Sequence, residues 1–107
     1  MALENANQGA RHTVQQITWT RTDGTAQNLT GATLTGRIFE IHDPDAPGRA
    51  IDGALALVTA ASGIFSWTYG ATDVASHGKF QVQFKATYDG GSYDLSDPAD
   101  WEVIRAL

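Results

Sequence analysis

The sequence predicts an all-β protein. Three features carry that expectation: large apolar side chains recur at every second position in several short runs, turns rich in Gly and Asp separate those runs, and no window shows apolar residues at helical spacing with caps at both ends. Ile17 and Trp19 share a face in the first run. Leu34, Gly36 and Ile38 share one in the second, after which Phe39 and Ile41 fall out of phase, which predicts a bulge near Glu40. Leu55 and Leu57 mark a short third strand. Phe65, Trp67 and Tyr69 then occupy one side of a fourth, with Ile64, Ser66 and Thr68 on the other. From Phe80 the chain reads Phe-Gln-Val-Gln-Phe-Lys-Ala-Thr-Tyr, a strand with one wet face. Tyr93 with Leu95, and Trp101 with Val103, supply the last two.

The turns agree with the strands. Thr22-Asp23-Gly24-Thr25, Ala61-Ser62-Gly63 and Ser76-His77-Gly78 fall between runs, and Asp89-Gly90-Gly91 predicts a hairpin from Thr87 to Tyr93, because Gly supplies the positive φ of tight hairpin turns. Residues 71–75 allow one short helical turn at most. Asp43-Pro44-Asp45-Ala46-Pro47-Gly48 cannot continue a central strand and is expected to be an exposed, mobile loop. About seven short strands with such spacing read as a single antiparallel β-sandwich of immunoglobulin type over residues 13–107, without the cysteine pair of antibody domains. Residues 1–12 are polar and free of alternation, and are expected to be a flexible N-terminal arm: either a frayed end or a segment that orders on a neighbouring subunit.

Composition narrows the functional classes. At 107 residues the chain has room for one core, and a hydrophobic fraction of 42% is enough to fill it. The net charge of -5 repels phosphate and anionic headgroups, so nucleic acid and membranes are not expected partners. With no cysteine there is no thiolate nucleophile, no disulfide and no sulfur-held zinc. Met1 to His12 hold no apolar run or cleavage pattern, so the chain is expected to be made in the cytoplasm without a signal peptide.

Residue chemistry announces no catalysis. His12, His42 and His77 are not spaced as metal ligands, and no Gly-x-Ser-x-Gly elbow accompanies the five serines and twelve threonines. The threonines suit a pleated surface instead. Asp43, Asp45 and Asp52 invite a calcium reading but lack the spacing of a helix-loop-helix calcium site. No phosphate-cradling glycine loop precedes a helix, and no cofactor is expected. Trp19, Trp67 and Trp101 would form a sugar-stacking platform if exposed; their positions on the apolar faces place them in the core. Asn28-Leu29-Thr30 matches the glycosylation pattern by chance.

Several segments together resemble the immunoglobulin-like domain of tailed-phage virion proteins, the kind found at the N-terminus of the phage baseplate upper protein. They are Asp23-Gly24-Thr25 followed by Asn28-Leu29-Thr30-Gly31-Ala32-Thr33-Leu34; Ser62-Gly63-Ile64-Phe65-Ser66-Trp67; Asp73 to Gly78 with Lys79-Phe80-Gln81-Val82-Gln83-Phe84; and Asp89-Gly90-Gly91 leading to Asp97-Pro98-Ala99-Asp100-Trp101-Glu102-Val103. Phe80 stands where antibody-type domains place a corner tyrosine. The resemblance implies a virion location and a non-enzymatic structural role. Family members often carry the module ahead of a receptor-binding or fibre domain, whereas this sequence ends at Leu107, so a small capsid decoration or a neck, tail or baseplate adaptor is expected. Its partners would be other virion subunits, in many copies or as a homo-oligomer. The candidate contact residues are Leu3 and Arg11 in the arm and Asp45 and Arg49 in the long loop. The rival expectation is a carbohydrate-binding module that attaches to glycans.

Overall fold

The computed structural model describes residues 3–11, 13–41 and 48–107, and two β-sheets face one another in it. In chain order the strands are β1 (Ala6–Asn7), β2 (Val14–Thr18), β3 (Thr33–Glu40), β4 (Arg49–Ala50), β5 (Ala54–Thr59), β6 (Ile64–Thr68), β7 (Gly78–Thr87), β8 (Tyr93–Leu95) and β9 (Ala99–Ile104). The larger sheet runs β1-β9-β7-β3-β4, with β8 on the second half of β7; the smaller runs β2-β6-β5. The chain enters and leaves the smaller sheet twice, which gives the sandwich its immunoglobulin-like connectivity. Helical structure among the described residues is confined to single 3-10 turns at Ala60–Ser62 and Asp89–Gly91.

Alternation explains the layers. β7 turns Phe80, Val82, Phe84 and Ala86 inward and its polar residues outward. β6 turns Phe65 and Trp67 toward them, so Phe65 meets Phe84 edge-on at 5.0 Å between centroids and Trp67 lies 4.8 Å from Trp101 of β9. Trp19, Trp67 and Trp101 are 2%, 0% and 2% exposed, as their strand phases predict. The Thr87–Tyr93 hairpin forms where expected, with Thr87 paired to Tyr93. Gly63 ends the first 3-10 turn at φ +72°, where an added Cβ would lie 2.7 Å from the Gln27 carbonyl oxygen, so a glycine is required on two counts.

Three features differ from the sequence reading. There is no bulge near Glu40: β3 holds an unbroken register against β7 through Glu40 opposite Phe80. Phe39 is out of phase because it lies on the outer face, where the chain returning at Gly48 passes within van der Waals reach of its ring. The irregularity falls instead in β5, between Leu57 and Thr59. Secondly, residues 3–11, read as part of a flexible arm, lie along the body. Ala6 and Asn7 pair in parallel with Val103 and Ile104, Ala6 is buried, and the Gln8 N–H donates to the Ile104 carbonyl. Backbone pairing needs no side-chain alternation, so the sequence pattern is silent there. Thirdly, the strand count among the described residues rises to nine because two-residue strands such as β4 carry no periodic signal.

Candidate interaction surface

The turn after β6 ties the molecule together. Asp73 is fully buried, and its carboxylate accepts four hydrogen bonds: from the Asp52 N–H at 2.8 Å, the Gly53 and Gly70 N–H groups at 2.9 Å each, and the Trp67 indole at 3.2 Å. Gly53 and Gly70 pass so closely that a Cβ on Gly53 would stand 1.9 Å from the Thr68 carbonyl oxygen. The same turn anchors the N-terminal segment, since the Gly9 N–H donates to Val74 and the Gln8 side chain to Ala75. A second tie lies nearby: buried Gln15 accepts from the Glu4 N–H and donates to the Glu4 carbonyl and to the Tyr69 hydroxyl at 2.6 Å.

Burial is the chief cause that pushes the Tyr69 phenol above its ordinary value of 10.0, with the Gln15 hydrogen bond acting the other way. The folded state therefore favours the protonated ring. That contribution is complete below the ordinary value and is lost as pH rises through the raised one. Melting temperature is expected to fall above about pH 10, and the fall should flatten in Tyr69→Phe when both proteins are melted from pH 8 to 11.

The candidate contact residues are placed as follows. Leu3 is half-buried against the core, and Arg11 is exposed just beyond the segment docked on β9. Arg49 is engaged within the fold: its guanidinium lies 5.2 Å from the Phe80 ring centroid and donates to the Asp73 carbonyl oxygen. Phe80, lacking the corner tyrosine's hydroxyl, thus holds a cation instead. Arg49 and residues 8–9 converge on the 71–75 turn. Asp45, like His12, His42 and Asp43, lies outside the described residues.

A different surface stands out once charge is mapped onto the sheets. None of the residues in β2, β5 and β6 is charged. The register lines up Val14, Thr68 and Ala54 across the outer face, then Gln16, Ser66 and Ala56, then Thr18, Ile64 and Thr59. This is a neutral patch of alanine, hydroxyl and aliphatic side chains with one amide, Gln16. The outer face of the larger sheet differs: Lys79, Gln81, Asp100 and Glu102 lie there, Lys85 stands 4.4 Å from the centroid of the exposed Tyr93 ring, and Leu95 is exposed beside them. A sequence-level charge map by segment would have found the contrast.

The edges of the smaller sheet also differ from each other. β2 is flanked by the N-terminal segment through the Glu4–Gln15 bonds. β5 has β6 on one side and, among the described residues, no strand on the other. Leu57 and Val58 are 38% and 49% exposed on that margin.

Two hollows indent the surface. One of about 320 Å³ lies between the Arg21–Asp23 turn and β8, where Gln27 already donates to Asp94 and Thr22 to Asp97. The other, about 530 Å³, is a shallow depression beside His77 lined by Glu40, Lys79 and Glu102. Among the described residues no three His, Asp or Glu side chains come together as metal ligands, and no helix is long and apolar enough to cross a membrane. The fold and surface define an immunoglobulin-like β-sandwich whose smaller sheet, among the described residues, presents an uncharged face and an open edge. No protein-family model and no curated protein matches the chain.

Proposed function

We propose that this chain is a non-enzymatic structural subunit of a tailed-phage particle, a capsid decoration or a neck, tail or baseplate adaptor that works through protein–protein contacts. The observation that carries the reading is the uncharged outer face and open β5 edge of the smaller sheet, on a chain whose net charge is otherwise -5. Soluble sandwiches ordinarily guard such edges with charge, proline or a bulge; β5 carries no charge or proline, and its stretch Ala54 to Leu57, ahead of the irregularity, suits a protein that meets other subunits. The resemblance of the Gly31, Gly63 and Gly78 segments to phage virion domains supplies the setting. Gradient-purified particles from the source culture should contain peptides of this chain in many copies per particle. Finding it only among free proteins of the lysate would remove the reading.

The burial of all three indoles weighs against a glycan platform built on tryptophan. Tryptophan emission is expected to be blue-shifted and unchanged by oligosaccharides. Quenching on titration with sugars would favour the carbohydrate-binding alternative instead.

A further inference from the structure

We propose that two copies of this chain pair through β5, edge to edge and antiparallel about a two-fold axis at Ala56, to make one continuous six-stranded sheet. The proposal deepens the particle-subunit reading, on which it rests for its setting, by naming the partner and the surface.

The backbone geometry comes first. The Tyr69 N–H donates to the Thr13 carbonyl and the Trp19 N–H to that of Gly63, so odd-numbered residues of β6 turn their backbone groups toward β2. Even-numbered residues therefore face β5, where Thr68 and Ser66 pair with Ala54 and Ala56. This leaves the N–H and C=O groups of Leu55 and Leu57 directed away from β6, and no other described backbone group bonds them. Such a row is a template for another strand. With a two-fold axis at Ala56, Leu55 lies opposite Leu57 of the second copy, and Leu57 opposite Leu55. Both are residues with free backbone groups, so each pair can exchange two hydrogen bonds.

The side chains support the same register. Leu55 and Leu57 share the inner face of β5, opposite Trp67 and Phe65, yet Leu55 is only half-buried and Leu57 is 38% exposed. In the pair each leucine gains a leucine neighbour. The register selects a second copy, since about the axis at Ala56 the same two leucines supply both sides of the pair, and the absence of charge on this sheet lets two like-charged chains meet there. Two chains of net charge -5 repel, and they approach at least cost through the sheet that carries no charge. A basic partner would be drawn to the exposed aspartates of the loops, Asp23, Asp89 and Asp97 among them. A short edge buries less than the roughly 800 Å² per partner of a stable dimer. The pairing is thus expected to be weak in free solution and to be reinforced where copies are held together in an array.

The chain's lack of cysteine makes the test direct. At the axis the two Ala56 residues form a non-hydrogen-bonded pair, with Cα atoms about 4.5 Å apart, inside the span that a disulfide bridges. Ala56 is exposed, so the full-length Ala56→Cys protein should fold. On mild oxidation at about 100 µM, a concentration suited to weak association, it should become a covalent dimer in most molecules. Val14→Cys, on the outer face of β2, should cross-link at least tenfold less. Val58→Lys added to Ala56→Cys should suppress the cross-link while leaving the melting transition in place. Equal cross-linking of the Ala56 and Val14 variants, or none at Ala56, would overturn the proposal. A chain that cross-links at Ala56 but is missing from particles would overturn the virion reading alone, and a particle-borne chain that does not cross-link would overturn only the pairing.

Discussion

Asp73→Ala is expected to cost about 3–5 kcal/mol of folding stability, because the carboxylate it removes is the acceptor for three backbone N–H groups and one indole N–H inside the fold. The chain at Asp52–Gly53 and at Gly70 has no room to turn those donors elsewhere, since both glycines press against neighbouring backbone. For a domain of this size the loss corresponds to a fall in Tm on the order of 15–30 °C. Asp73→Asn should fall between: it keeps one carboxamide oxygen for the three donors now on Oδ2, but turns an NH2 group toward the Asp52 N–H. Urea titrations of the three proteins give the ranking. A loss below about 1 kcal/mol for Asp73→Ala, the scale of one ordinary hydrogen bond, would show that the turn holds without its central acceptor.

The same residue shows what a sequence can and cannot disclose. β7 is legible because burial acts on alternate side chains, and Phe80, Val82 and Phe84 each record it. The three tryptophans are legible for the same reason. Asp73 is not, because an aspartate in a polar turn usually faces water; only the fold brings Asp52, Gly53 and Gly70 around it. β1 is silent in the pattern, since pairing with β9 uses main-chain groups and buries one alanine. Phe39 misleads in the opposite direction: an apolar residue out of phase signals a bulge only when nothing covers the outer face, and here the chain at Gly48 does. The neutral sheet lies between these cases. The absence of charge from Val14–Thr18, Ala54–Thr59 and Ile64–Thr68 is present in the sequence, but the three segments become one surface only when β6 is placed between the other two.

Deleting the chain through Gln8 is expected to destabilise the fold by about 2–4 kcal/mol, even though the segment has almost no apolar pattern. Three losses combine. β9 gives up its parallel neighbour at Val103 and Ile104, and the half-buried Leu3 and buried Ala6 leave the core. Gln15 keeps only the Tyr69 hydroxyl of its three side-chain bonds. That last term makes the prediction separable by a double-mutant cycle: in a Gln15→Met background, where the amide no longer needs partners, the deletion should cost about 1 kcal/mol less. Hydrogen exchange should quicken at Glu102 and Ile104, whose backbone groups face the deleted segment, while β7 amides remain protected. An arm that serves only a neighbouring subunit would leave the isolated chain's stability unchanged on deletion, so a loss under about 0.5 kcal/mol would restore the trans-docking role. The β5 edge lies on the far side of β6 from β2, which carries Gln15. The Ala56→Cys cross-link is therefore expected to form as readily in the shortened chain, provided the assay is run well below its lowered melting temperature.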